Sequence, residues 1–249
     1  MTVEIFPLNA LGGAAGVVVP TFLNDPMTGV TGPLGFNYIQ TVSPTTPIVD
    51  PITSGTYSIG VCADAQQGMI VSNVGTGNPG SSWSGGFIVA PLYISCFGQT
   101  QFCEFKIVAI SRVGANDSVH GPAIFQSNPG QQAVGSEQKG LFSYKLNIRA
   151  SDLSYFVGRG NAAVGVQLIT GGAGSWAAGD VCRLSGQVNP GDITLRVTKN
   201  GVLFATAVDN SAGRFSTGGP GFFSNLFDNS AGGSMISQWR NFRGGLGLG

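Results

Sequence analysis

The sequence predicts an all-β protein built from stacked antiparallel strands, and three observations support this prediction. Apolar residues alternate with polar residues over runs of seven or eight positions, which is the period of a strand with two different faces. Residues typical of turns (Gly, Pro, Asn and Ser) separate these runs every 10 to 15 residues. Dozen-residue windows with the apolar stripe of an amphipathic helix are absent unless Gly or Pro interrupts them.

Two segments predict strands in detail. In Phe142–Arg149 apolar and polar residues alternate strictly, so one face of this strand is expected to be buried and the other to face solvent. Ile193–Lys199 alternates in the same way and is followed by Asn200 and Gly201, a pair typical of a type I′ turn. Residues 202–208 then return as the partner strand of a hairpin. Further strands are predicted over residues 57–63, 69–72, 86–96, 102–112, 123–126, 163–169, 181–185, 221–227 and 235–242.

The chain is divided into three parts by composition. Residues 1–20 are apolar but precede the strand-rich region, so they are expected to form an extended arm that docks on a neighbouring subunit or particle. Residues 21–243 form one domain. Residues 244–249 are a glycine-rich tail, expected to be flexible or ordered only against a neighbour.

Charge and hydropathy exclude several partners. Twelve basic side chains balance 12 acidic ones, and charged residues make up only 10% of the chain, so a nucleic-acid partner is not expected. The longest apolar run, residues 86–97, is too short to span a membrane, and the first residues do not resemble a signal peptide. We therefore expect a protein made in a cytoplasm, without a membrane partner, whose weakly charged surface is covered by other subunits.

The cysteines and the single histidine do not form a metal-binding pattern. Cys62, Cys96, Cys103 and Cys182 lack zinc-site spacing, and no cofactor is expected. Buried free thiols are favoured over disulfides, although Cys96 and Cys103 could close a hairpin. His120 lies in a turn-rich segment and is expected to be a solvated loop residue.

Motifs in the second half resemble the concanavalin A-like lectin/glucanase (laminin-G-like) jelly rolls. They are residues 180–186 (DVCRLSG), 192–197 (DITLRV), 200–203 (NGVL) and 219–224 (GPGFFS). Residues 22–25 (FLND) and 32–38 (GPLGFNY) are similar to the opening of that fold, with Tyr38 where Trp is usual. Residues 142–149 and 157–160 are similar to its middle strands. The resemblance covers residues 22–243 and implies a jelly-roll β-sandwich. This superfold includes lectins, hydrolases, lyases and structural modules of phage virions.

Catalytic residues of such enzymes are missing from the expected positions. A retaining glucanase of this fold needs two carboxylates on one strand face, and no predicted strand has acidic residues two or four positions apart. A lyase or a serine hydrolase would have to use the lone His120, and there is no Gly-x-Ser-x-Gly motif after a strand. We therefore predict a protein that is not an enzyme.

Sugar binding requires an exposed aromatic ring beside polar groups, and the candidates are Trp176, Tyr155 and Arg159. Trp176 lies in a Gly/Ala/Ser-rich loop and is the best candidate for an exposed ring; the alternative is that it closes one end of the sandwich. Trp83 and Trp239 are expected to be core or interface anchors. The resemblance makes Asp25 and Asp228 conceivable ligands of a structural calcium ion, which the spacing does not support.

Together these observations predict a non-enzymatic structural protein of a virus particle, such as a phage capsid decoration, head-fibre or tail component. Its partners would be copies of itself and other virion proteins, and possible partners include a surface glycan. The alternative is a carbohydrate-binding adhesin or lectin-like module. A second alternative is a glycan hydrolase or lyase with an atypical site.

Overall fold

The computed structural model describes residues 2–4, 22–25, 38–40, 48–49, 56–61, 69–73, 83–89, 94–95, 100–113, 117–127, 142–160, 165–227 and 234–247. These residues form strands, turns and bends and contain no helix. The strands are β1 Thr2–Glu4, β2 Phe22–Asp25, β3 Tyr38–Gln40, β4 Ile48–Val49, β5 Thr56–Val61, β6 Met69–Asn73, β7 Trp83–Val89, β8 Ile94–Ser95, β9 Thr100–Val113, β10 Asp117–Ser127, β11 Phe142–Arg149, β12 Tyr155–Gly160, β13 Gly165–Gly171, β14 Val181–Val188, β15 Ile193–Lys199, β16 Val202–Asp209, β17 Thr217–Phe227 and β18 Ser234–Leu246.

The described strands form two antiparallel sheets. The first sheet has the order β16-β15-β14-β9-β18-β6-β5-β4, with β2 also beside β18 and β1 beside β2. The second has the order β13-β12-β11-β10-β17-β7-β3, with β8 beside β17. The all-β class and the sandwich of two antiparallel sheets are therefore confirmed.

Aromatic side chains fill the space between the sheets. Phe105 of β9 contacts Phe222 of β17, with ring centroids 5.4 Å apart, and Trp239 of β18 lies 5.3 Å from the same Phe222 ring. All three are at most 1% exposed, so Trp239 is a core residue, as the sequence predicted. The burial of large rings is the main contribution to stability that the sheets gain by stacking.

The predicted hairpin is confirmed. Lys199 pairs with Val202, and Asn200 and Gly201 have φ angles of 53° and 80°, the two positive values that a type I′ turn requires. The Asn200 side chain also accepts a hydrogen bond from the Val181 backbone N–H and donates one to Asp180. The turn therefore fixes the start of β14 as well as the tip of the hairpin.

The outer face of β11 differs from the prediction. Tyr144, Leu146 and Ile148 are buried between the sheets as expected, but Ser143, Lys145 and Asn147, expected to face solvent, are at most 2% exposed. Strict alternation identifies which residues share a face, but it does not reveal whether that face is covered.

Both chain ends depart from the predicted arm and tail. Thr2–Glu4 pairs with β2 inside the chain's own first sheet, rather than with a neighbour; residues 5–20 lie outside the described residues. Residues 244–246 of the predicted tail continue β18 and pair with β9. Gly244 is needed there, because a Cβ atom at this position would come within 2.6 Å of the Phe242 ring.

The segment that contains His120 also differs from the prediction of a turn-rich, solvated loop. His120 lies in β10, paired with Ile148 on one side and Ser224 on the other, and it is fully buried. Cross-strand partners share a face, so His120 lies on the core side with Ile148. Burial lowers the pKa of His120 to about 3, which leaves the imidazole neutral near pH 7.

The cysteines within the described residues have free thiols. Cys103 and Cys182 are unpaired and buried, which confirms the free-thiol prediction for these two residues. Cys62 and Cys96, like Asp228, lie outside the described residues. Among the described residues, no helix is long and apolar enough to cross a membrane.

Candidate ligand-binding site

The structure places two of the three predicted sugar-binding residues together, inside an aromatic cluster. The Tyr155 and Trp176 ring centroids lie 6.0 Å apart, and Phe204 of β16 packs at 5.4 Å from Tyr155 and 5.5 Å from Trp176. Trp176 is only 1% exposed, so its predicted exposure is wrong, and it closes one side of the sandwich instead. Phe204, at 41% exposed, is the accessible ring of this cluster.

Polar contacts explain why the loop before β14 turns Trp176 inward. The Asp180 carboxylate accepts hydrogen bonds from the Ala177 backbone N–H and from the Asn200 side chain, and it forms a 2.9 Å ion pair with Lys199. The Lys199 ammonium also donates to the Ser175 carbonyl and lies 5.6 Å from the Trp176 ring centre. These bonds hold the loop against β15, which leaves the indole facing the core.

Arg159, the third predicted residue, belongs to a separate network. Its guanidinium forms a 3.0 Å ion pair with Asp209 and contacts the Ser211 hydroxyl. Tyr144 donates a 2.7 Å hydrogen bond to the same carboxylate. Burial acts to raise the pKa of Asp209, but hydrogen bonds from Ser211 and Tyr144 outweigh it, so the pKa lies below its ordinary value. Arg159 therefore has a structural partner in the chain itself.

A different group of polar residues lies on the outer face of the second sheet. Ser143, Lys145 and Asn147 occupy alternate positions of β11, so their side chains share the face opposite the core. Lys145 pairs in register with Ala123 of β10, and its ammonium nitrogen lies 3.8 Å from the centre of the Phe223 ring of β17. We call Ser143, Lys145 and Asn147 the polar row.

A small apolar cluster adjoins the polar row. Val119 and Ala123 of β10 pack with Phe223 of β17, all at most 1% exposed, and the partly buried Phe156 of β12 packs against them. The polar row therefore lies beside a buried apolar cluster that contains an aromatic ring.

Several polar atoms at this face have no hydrogen-bond partner. Within the part of the chain that the structure describes, six buried side-chain atoms are unpaired, and four of them belong to Ser143, Lys145 and Gln126. Gln126 lies on β10 beside the bulge that stands opposite Ser143. Buried polar atoms are normally hydrogen-bonded, so their concentration on two adjacent strands requires an explanation.

Lys145 is the most unusual member of this group. Burial lowers the pKa of Lys145 to about 7, because an ammonium removed from water loses its hydration. The Phe223 ring offsets part of this cost through a cation–π contact. Asn147 donates a 3.3 Å hydrogen bond to the Lys145 carbonyl, which leaves the Asn147 side-chain oxygen able to accept.

Sequence reasoning missed the polar row because it took these residues for a solvated face. The composition of the neighbouring strands could have revealed it. Apolar side chains of those strands lie in register with the polar row, such as Ala123 opposite Lys145. A solvated sheet face has polar cross-strand neighbours instead.

Glu104, Asp180 and Asp209 are bound to different basic groups, whereas Asp152 and Asp192 accept hydrogen bonds from neutral groups. Glu104 pairs with Arg183 and Arg243, Asp209 with Arg159, and Asp180 with Lys199. In the described ranges, no three His, Cys, Asp or Glu side chains come together as a metal site would require.

Comparisons with known proteins yield similarity of fold only. No protein-family model matches the chain, and no curated protein sequence matches it. Among solved structures, the chain is similar to the Emp46p carbohydrate recognition domain in its metal-free form, with 10% identity, a TM-score of 0.46, and coverage of 76% of this chain and 87% of that one. It is also similar to Bacillus licheniformis β-glucanase, with 11% identity, a TM-score of 0.48, and coverage of 90% and 97%.

A third similar structure is the lectin UEA-II complexed with galactose, at 11% identity and a TM-score of 0.45, with coverage of 91% of this chain and 98% of that one. These three structures are a carbohydrate recognition domain, a β-glucanase and a lectin. Similarities at this level concern the arrangement of strands and carry no information on ligand or activity.

Proposed function

We propose that the protein is a non-enzymatic carbohydrate-binding module whose site is the outer face of β10, β11 and β17. The observation that carries this proposal is the clustering of four unpaired buried polar atoms, one of them 3.8 Å from the Phe223 ring centre. A saccharide has hydroxyl groups that donate and accept hydrogen bonds, which matches an amine, a hydroxyl and an amide. Its apolar C–H face packs on an aromatic ring.

The polar row is closed in this structure. Ser143, Lys145 and Asn147 are each at most 2% exposed, so other atoms of the chain cover them and a sugar must displace that cover to reach them. Contacts made there are strengthened because water competes less for the same groups.

Glycan-array and calorimetric binding of the full chain test the proposal. We expect the wild type to bind at least one saccharide, and Ser143→Ala to weaken that binding about fivefold, the value of one hydrogen bond. Thr206→Ala, an exposed position on β16, is the matched control and should bind as the wild type does. Absence of binding to every saccharide tested, or unchanged binding by Ser143→Ala, would contradict the proposal.

The non-enzymatic part of the proposal has its own support and its own test. Glu104, Asp180 and Asp209 are held by basic side chains, and His120 is buried on the core side of β10, away from the polar row. Reducing-end and unsaturated-product assays on the bound saccharide should show no turnover. Turnover that Lys145→Met or His120→Ala abolishes would show an enzyme instead.

A second candidate function is that of an assembly component, and a separate observation favours it. The large apolar side chains that are exposed in the described part of the chain all lie on β13 and β16: Val166, Val202, Leu203, Phe204 and Val208. These strands are the ends of the two sheets on one side of the sandwich. We call this set the apolar edge. Exposed strand edges with apolar side chains are prone to pair with another chain.

Membership in a virus particle, as a phage capsid decoration, head-fibre or tail protein, is the setting we propose for such assembly. Its support is the weakly charged surface together with the apolar edge. Mass spectrometry of purified particles tests it directly: many copies in the shell would indicate decoration, and a tail-tip location would indicate adhesion. Absence from every particle would contradict the virion setting without bearing on sugar binding.

A further inference from the structure

The polar row contains a buried lysine amine, and this narrows the class of ligand. The Lys145 side chain is 2% exposed, and its ammonium nitrogen has no hydrogen-bond partner within the described part of the chain. Its partner in the structure is the Phe223 ring, which attracts a cation but accepts none of its three N–H donors in the way an oxygen does. A buried ammonium is costly unless it is paired and hydrogen-bonded.

The neighbouring strands place no counter-charge opposite Lys145. On β10 its cross-strand partner is Ala123, and on β12 its partner is Gly158. On β17 the contacting residue is Phe223. Three described carboxylates pair with other cations: Asp209 with Arg159, Asp180 with Lys199, and Glu104 with Arg183 and Arg243.

We propose that the ligand of this face is an anionic saccharide, whose carboxylate or sulfate group accepts hydrogen bonds from Lys145 while Ser143 and Asn147 bind neighbouring hydroxyl groups. This inference rests on the proposed carbohydrate-binding function and goes beyond it by naming the charge of the ligand. An anionic oxygen would satisfy the ammonium donors that the chain itself leaves unpaired. The sugar ring would then lie toward Phe223, which already borders the ammonium.

Matched ligands separate this inference from the function on which it rests. The probes are a galacturonate tetramer, the same tetramer with its carboxyl groups reduced to alcohols, and a galactan tetramer with and without sulfate. For the wild type we expect at least one acidic probe to bind about tenfold or more tightly than its neutral counterpart, the value of a charge-assisted hydrogen bond. The acidic probe that binds more tightly shows whether the site prefers a carboxylate or a sulfate group.

Two lysine variants test whether Lys145 is the group that produces the preference for the acidic probe. Lys145→Met keeps an apolar stem of similar length and removes the charge, so it should bind the acidic and neutral probes equally. Lys199→Met removes a lysine that is paired with Asp180 and should retain the preference. Thermal melting of both variants reports whether they fold, and Ser143→Ala provides a second substitution in the same row.

Each outcome has a definite meaning. A preference for the acidic probe that disappears in Lys145→Met supports the inference. Equal binding of acidic and neutral probes by the wild type, weakened in Ser143→Ala, overturns the anionic ligand and leaves the carbohydrate-binding function standing. A preference that survives in folded Lys145→Met overturns the role of Lys145. Absence of binding to every probe and every array glycan overturns both the function and the inference.

Discussion

The hydroxyl group of Tyr144 donates a 2.7 Å hydrogen bond to the carboxylate of Asp209, and this bond joins the two sheets of the sandwich. Tyr144 belongs to β11 of the second sheet, and Asp209 ends β16 of the first. The same hydroxyl group accepts a hydrogen bond from the Phe215 backbone N–H, so the loop after β16 is fixed as well. A buried polar contact thus aligns the sheets at the side where β16 is the last described strand of its sheet.

Tyr144→Phe should lower the free energy of unfolding by about 1.5–3 kcal/mol, because it removes a buried hydrogen bond to a charged group. Urea unfolding of the variant and the wild type measures the difference. Tyr155→Phe is the matched control, since the Tyr155 hydroxyl makes no hydrogen bond within the described part of the chain, and its loss should cost much less. Equal destabilisation by the two substitutions would show that the hydrogen bond to Asp209 does not stabilise the fold.

Trp176→Ala should destabilise the protein by about 3–5 kcal/mol, the usual cost of deleting a buried large aromatic ring. Trp176 is 1% exposed and packs against Tyr155 and Phe204. Phe204→Ala removes a ring that is 41% exposed and should cost clearly less. Calorimetric melting of both variants checks this order, and a Trp176→Ala variant that melts with the wild type would mean that the indole is not part of the core.

The strand pattern of the second half could be predicted from sequence because local chemistry determines it. The Asn200–Gly201 turn needs two positive φ angles that few residues adopt, and alternation marked β11 and β15 with their inner faces. The same reasoning failed for the outer face of β11, since burial of that face depends on long-range packing. It failed for Trp176 because the contacts that turn the loop inward, between Asp180 and Lys199, join residues 19 positions apart in the sequence.

Residues of the candidate site illustrate the same limit. Tyr155 and Trp176 lie together, as the sequence predicts, but the predicted third member, Arg159, bonds instead to Asp209, 50 residues away. The contact between Arg159 and Asp209 cannot be recognised from the residues next to either one in the sequence. The unpaired state of Ser143, Lys145 and Gln126 is a property of the folded surroundings and could not be read from the order of residues.

Val202→Lys combined with Val208→Lys should reduce self-association of the chain. These side chains are 70% and 54% exposed on β16, and added charges on an edge strand oppose pairing with a second copy. Light scattering after gel filtration should show a fall toward the monomer mass of 25.5 kDa. Ala212→Lys, an exposed position in the loop after β16, is the control that should leave the mass unchanged. A wild type that is already monomeric at high concentration would contradict assembly through the apolar edge.

Lys145→Met should make the ligand-free protein more stable, and the gain should depend on pH in a defined direction. The ordinary lysine pKa is 10.5, and burial lowers the pKa of Lys145 to about 7 in the folded chain. Below pH 7 the lysine is charged in both states, so the cost of burying the ammonium is present in full. Between pH 7 and 10.5 the folded state has released the proton that the unfolded state still holds, so the cost decreases as pH rises.

From this shift, the stability gain of Lys145→Met is on the order of 4 kcal/mol at pH 6 and roughly half of that at pH 9. Urea unfolding at the two pH values, with Lys199→Met as a control whose ion pair with Asp180 should make its loss destabilising, measures both numbers. A substitution that stabilises the fold while abolishing the preference for an acidic sugar would mark Lys145 as a residue retained for binding rather than for stability. If Lys145→Met is instead less stable than the wild type at both pH values, the ammonium is not buried as described, and the anionic ligand loses its physical basis.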